Sequence, residues 1–179
     1  MQDAGYAVPP LSRAMIRAEA ARIRNVFRIT GPWVDVVRLL EVWLPRVWPE
    51  FYLEIVDVGQ LGTLHAVTVP ERAHMQVRED VYNGACRGVG RDRFTLAHEL
   101  GHIVLHSDVE YARLEPGQSV PSFRSSEWQA NSFAGEVLIS AEHLTGCAGP
   151  QDLATRFGVS VEAARVQWTV FDQEGLTPN

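Results

Sequence analysis

His98 and His102, with Glu99 between them, are the residues of this chain best suited to chemistry. They lie in RFTLAHELGHIVLH, Arg93 to His106. On an α-helix, positions i and i+4 sit one above the other on one face, so imidazoles at that spacing can reach a single tetrahedral zinc ion. Glu99 is rotated aside, where a carboxylate can take a proton from a water beside the metal. Such a trio serves metal-assisted hydrolysis. The bland alternative is a core helix whose histidines bond to backbone, but two buried imidazoles and a carboxylate without a metal carry a large desolvation cost.

The segment has the pattern of a helix that Asp92 can cap, with Phe94, Ala97, Gly101, Val104 and Leu105 forming an apolar stripe that includes both histidines. Two imidazoles do not hold zinc, so a third ligand must come from elsewhere and leave one position for water. In the pattern that adds a third histidine after a glycine bend, those residues would fall where Leu105 and Asp108 stand, which argues against it. The other arrangement takes a glutamate from a second helix. SSEWQANSFAGEVLIS, Ser125 to Ser140, suits that role, and Glu127 is the chosen ligand. Ser126 with Gln129 fits a capping box, and Ala130, Phe133, Ala134, Val137 and Leu138 form a helical stripe. Asn131 is placed to reach a ligand histidine as its outer partner, whereas Glu136 falls away from that edge.

The remaining elements must position these two helices. Leu11 to Phe27 reads as a helix with Met15, Ala18, Ile23 and Phe27 inside and Arg13, Arg17, Arg22 and Arg24 on a solvated face. Gly31-Pro32 breaks it, and Val34 to Trp48 follows as a helix kinked at Pro45. Phe51 to Val58 and Leu64 to Val69 read as strands joined by a turn at Gly59 to Gly62, with His74 to Val81 a third strand. An exposed edge of this small antiparallel sheet could pair with extended substrate, lined by His74, Gln76 or Arg78. Asn83-Gly84 and Gly88 to Gly90 are expected as a flexible entry to the histidine helix. The stretch from His106 to Glu127 reads as a loop bordering the cleft. His106, Tyr111 and Arg124 are the candidates to stabilise a developing oxyanion, with His106 also suited to ending its helix. The tail, DLATRFGVSVEAARVQW, has a helix-turn-helix pattern turning at Gly158, with Ser160 as cap. Its outer face offers little beyond Glu162, Arg165 and Gln167, which favours packing or substrate docking over base reading.

Taken in order, RFTLAHELGHIVLH, EWQANSFAGEVLIS and DLATRFGVSVEAARVQW resemble the ImmA/IrrE family of bacterial zinc metallopeptidases. The resemblance runs from about Phe51 to Phe171 and is sharpest from Arg93 to Leu138. It implies that His98, His102 and Glu127 bind zinc and that Glu99 is the catalytic base. It also implies a protein substrate, a helix-turn-helix repressor whose cleavage switches on mobile-element or stress-response genes. One departure is visible: the family's second helix commonly ends in Leu-Leu-Met-Pro, where this chain has Val137-Leu138-Ile139-Ser140.

The expected fold is α+β: a small antiparallel sheet packed on a zinc-binding helix, a gluzincin-like core, with N-terminal helices and a C-terminal helix-turn-helix-like segment. The expected division is 1–50 as a helical extension, 51–148 as the metallopeptidase core and 149–179 as the segment packed on it. At 179 residues and a net charge of −6, the chain is long enough for one good core and too acidic for dominant binding to nucleic acid or an anionic membrane. No apolar run is long enough to span a bilayer, and the expected compartment is the cytoplasm. Cys86 and Cys147 lack metal-ligand spacing and read as free thiols. The expected cofactor is Zn2+, with Mn2+ open because histidine and carboxylate ligands accept either. The competing functions are a DNA-binding or partner-capturing regulator with a non-catalytic zinc site, and a toxin-type peptidase with another substrate.

Overall fold

The computed structural model describes residues 6–109 and 120–178, and the backbone of 112–113. At its centre, α5 (Gly90–His106) packs on α6 (Ser126–Leu138). Gly101 lets them meet closely: a Cβ there would stand 3.1 Å from Ala130 Cα and 3.2 Å from both Ala130 O and Phe133 Cδ1. The cap of α5 is Val89, not Asp92. Asp92 lies in the first turn, where its charge suits the helix's positive pole, and its carboxylate occupies the space that a side chain on Gly84 would need. Gly84 accordingly belongs to a helix, α4 (Glu79–Cys86), rather than to a flexible entry. Glu79 and Asp80 in the first turn favour that helix and end the preceding strand at Arg78.

Ser125 caps α6, its oxygen accepting from Trp128 N at 3.3 Å. The expected Ser126–Gln129 capping box does not form, because Ser126 Oγ accepts from Tyr6 N and Gln129 is buried among other partners. Ile139 ends the helix, and Ser140 caps the next turn, accepting from Glu142 N at 3.4 Å.

The sheet contains β2 (Tyr52–Val56), β3 (Ala66–Val69) and β4 (His74–Arg78) in the order β2-β4-β3. β3 is antiparallel to β4, pairing Ala66 with Val77 and Val69 with His74, but β2 runs parallel to it from Tyr52↔His74 to Val56↔Arg78. The sheet is therefore mixed rather than antiparallel, and β2 and β3 are not a hairpin. β4 takes the centre because its inward side chains, Met75 and Val77, are fully buried. Crossing over it spans two strand spacings, about 10 Å, which residues 57–65 easily cover. His74, Gln76 and Arg78 consequently lie on the central strand, where His74 and Gln76 bond Glu54 and Arg78 pairs with Asp80.

α1 (Arg13–Val26) starts at Ser12, whose side chain accepts from Met15 N, a cap worth about 1 kcal/mol. Ile16, Ala20 and Ile23 are its buried apolar residues, and Met15, expected inside, is exposed. Arg22 is exposed as expected, but the other three arginines are not a solvated face. Arg24 is buried and donates to Val137 O and Gly31 O, while Arg17 bridges Glu136 and Glu174. For Arg13 and Arg17 the reason is Glu136 of α6, a buried carboxylate that needs polar partners and finds those two guanidinium groups and the Gln167 amide.

The expected second helix is broken into α2 (Val36–Arg38), a π turn at Leu39–Trp43 and α3 (Leu44–Val47). The extra residue of the π turn lets Leu44 N–H reach Leu39 O just before Pro45, which has no N–H to give. At the C-terminal end, α7 (Pro150–Phe157) meets α8 (Val161–Gln173) through Gly158, whose φ of 62° suits glycine. Arg93 pins this turn. Buried at 1 % exposure under the Trp33 ring, it donates to Phe157 O, Gly158 O and Val34 O, and burial pushes its pKa down to about 10. Gln167, expected on the outer face of α8, is buried against Glu136. One apolar core runs from Ile16 to Phe171.

A feature absent from the sequence reading closes the fold. β1 (Tyr6–Ala7) pairs antiparallel with β5 (Ala112–Arg113) and bridges Ala7 to Ser125. Val8 N and Leu11 N continue the contact, donating to Arg124 O and Phe123 O. The two cysteines are free thiols, and among the described residues no helix is long and apolar enough to cross a membrane.

Candidate metal centre

The close packing of α5 on α6 brings His98, His102 and Glu127 together, with one ligand atom from each lying within 4.8 Å of the others. His98 Nε2 is 3.4 Å from Glu127 Oε2, His102 Nε2 is 3.3 Å from Glu127 Oε1, and the two Nε2 atoms are 3.1 Å apart. Glu99 is almost fully buried beside them, and its charge acts on His98.

The other ring nitrogens decide what these atoms can do. Asn131 Oδ1 lies 3.1 Å from His98 Nδ1, and a proton donated there leaves His98 Nε2 with a lone pair. His102 Nδ1 lies 3.1 Å from His106 Nδ1, and His106 Nε2 lies 3.0 Å from Gln129 Oε1. With the proton of each ring on Nδ1, two lone pairs would face each other beside a carboxylate, an arrangement that a cation among them relieves. The donor set, two imidazoles and one carboxylate, therefore fits zinc.

Electrostatics point the same way. Burial works against a charge on His98, but the Glu127 carboxylate and then Glu99 outweigh it and raise its pKa. Burial pushes the Glu127 carboxyl up, and its bonds to His102 and His98 more than reverse this, holding it well below the usual carboxylate range. The Glu127 carboxylate thus favours positive charge between the two rings, which a bound cation would supply.

His106 does not face the cleft. It is 1 % exposed behind His102, and burial lowers its pKa to about 4, which favours a neutral ring over a charged helix end and leaves no exposed N–H to meet an oxyanion. The signal for this was its place in the row His98, His102, His106, each one turn above the last. Gln129, which the sequence pattern suits to a cap, instead buries its amide against His106. Arg124 lies exposed on the 3-10 turn Ser122–Arg124 before α6, and its side chain makes no ion pair or hydrogen bond with His98, Glu99, His102 or Glu127. Tyr111 lies outside the described residues.

No curated protein sequence matches the chain. A sequence model for the IrrE N-terminal-like domain, family Peptidase_M78, matches residues 68–169, a span that holds the histidine helix, the glutamate helix and most of the C-terminal helix pair. The chain, with its two imidazoles and one carboxylate converging across α5 and α6, belongs to this family of M78 peptidases.

Proposed function

We propose that this chain is a zinc metalloendopeptidase. The observation that carries the reading is the convergence of His98 Nε2, His102 Nε2 and the Glu127 carboxylate, with buried Glu99 alongside. When bound, the ion supplies Lewis acidity, acidifying a water and polarising the scissile carbonyl. His98, His102 and Glu127 hold it, and Asn131 orients His98. Glu99 takes the proton of the attacking water and returns it to the leaving nitrogen. Substrate backbone is expected along β3, the edge strand that packs beside α5 and has no second partner among the described strands.

The substrate class we favour is a helix-turn-helix repressor, by analogy with the family. The C-terminal helix pair serves packing or docking in this reading. The exposed face of α8 carries Glu162, Arg165, Val166, Thr169 and Asp172, which gives no positive surface for DNA. The test is incubation of zinc-loaded protein with purified helix-turn-helix repressors, with and without chelator, followed by intact-mass analysis. Two complementary fragments that vanish with chelator support the reading. Glu99→Gln should keep fold and zinc while losing cleavage, and equal cleavage by that variant refutes the mechanism.

A further inference from the structure

A chain of buried hydrogen bonds runs from the N-terminal segment to the metal centre, and its polarity is fixed at one end. Gln129 Nε2 lies 2.9 Å from both Pro9 O and Phe123 O. Carbonyl oxygens only accept, so the amide can point only one way, with Oε1 toward His106. Oε1 is itself only an acceptor, and it lies 3.0 Å from His106 Nε2, which must therefore carry the ring proton. A neutral His106 then has its lone pair on Nδ1, which lies 3.1 Å from His102 Nδ1. His102 must donate there, which strips its Nε2 and aims the lone pair at His98 Nε2 and Glu127.

We propose that Gln129 and His106 are positioning residues that set the tautomer of His102 for metal binding, with the backbone carbonyls of Pro9 and Phe123 as the fixed reference. The inference rests on reading His102 as a ligand. It extends the metal centre beyond the matched family domain, since Pro9 lies far upstream of residue 68. With the relay broken, His102 is free to carry its proton on Nε2, and that proton must be lost or moved before an ion can bind. Outer partners of this kind contribute about ten- to a hundredfold to metal affinity.

The relay separates polarity from packing. In His106→Leu the ring volume is roughly kept and the acceptor for His102 is gone. In His106→Gln, one side chain offers a carbonyl to accept from His102 and an amide to donate to Gln129, reproducing the polarity of the ring. Zinc affinity, measured by competition with a chromophoric chelator, should fall about ten- to a hundredfold in His106→Leu and Gln129→Leu and stay within about threefold of wild type in His106→Gln. A role in packing alone predicts that Leu does no worse than Gln, and that result overturns the proposal. Long-range proton–nitrogen NMR of the metal-free wild type at about pH 8, above the ordinary imidazole pKa, should show the proton on Nδ1 of His102 and Nε2 of His106. A proton on Nε2 of His102 overturns the proposal whether or not the variants fold. A folded wild type that binds no zinc sinks the metallopeptidase reading, while the ring spectra of that same sample still decide the relay.

Discussion

Replacing Gly101 by alanine tests whether the spacing of two helices sets the metal centre. The added Cβ would meet Ala130 Cα at 3.1 Å and Ala130 O and Phe133 Cδ1 at 3.2 Å. Ordinary carbon contacts lie at about 3.5–4.0 Å, so α5 and α6 must separate by roughly 0.5 Å. The overpacking costs about 1–3 kcal/mol, and the higher helix propensity of alanine returns about 1 kcal/mol, so the net loss of stability is modest. The effect on binding is larger, because metal–ligand distances tolerate only about 0.2 Å and Gly101 lies between His98 and the next turn of α5, directly opposite the helix that carries Glu127. Zinc affinity is expected to drop about tenfold, corresponding to roughly 1.4 kcal/mol, by chelator competition, with a small shift in the melting temperature of the metal-free protein. Gly31→Ala is the control, since nothing lies within 4 Å of its Cβ. If Gly101→Ala binds zinc as tightly as wild type, helix spacing does not govern the site and the reasoning fails.

Three further outcomes are expected. Arg93→Met strands three carbonyls, those of Val34, Phe157 and Gly158, and should cost about 3 kcal/mol or more in urea unfolding; a change under about 1 kcal/mol would contradict its pinning role. Gly90→Ala places a Cβ 2.4 Å from Val159 C and 2.6 Å from Ser160 N, both backbone, so the turn between α7 and α8 must move and the melting temperature should fall, with no change refuting that contact. For His106 the folded pKa, about 4, lies below the ordinary 6.5, so the unfolded chain binds more protons between those values. Its contribution is complete above pH 6.5 and is lost as pH falls toward 4, on the order of 3 kcal/mol in the metal-free protein; His106→Gln should flatten that slope in unfolding measured across this window, and an unaltered slope counts against a buried neutral ring.

What the sequence discloses depends on how far each signal reaches. His98, Glu99, His102 and Glu127 sit on strongly periodic helices, and helical spacing alone places residues on a face. The roles of Gln129 and Arg24 depend on carbonyls more than a hundred positions away, which no local pattern encodes. Arginines on α1 read as solvated because a helix pattern does not show that a neighbouring helix buries a carboxylate. The sheet went astray for a similar reason: each strand was legible, but strand order follows from which strand buries both Met75 and Val77, a tertiary matter.

The pairing of β1 with β5 and with Ser125 has a consequence for how the molecule matures. Residues 6–11 leave the ribosome ahead of their hydrogen-bond partners, from 112 to 129, which are made more than a hundred residues later. Contacts of such separation close slowly because loop entropy must be met first. On the zinc reading, assembly of the ion site therefore waits on contacts that span more than a hundred residues, and a nascent chain stalled before residue 129 has the histidines without the Pro9–Gln129 bond behind them.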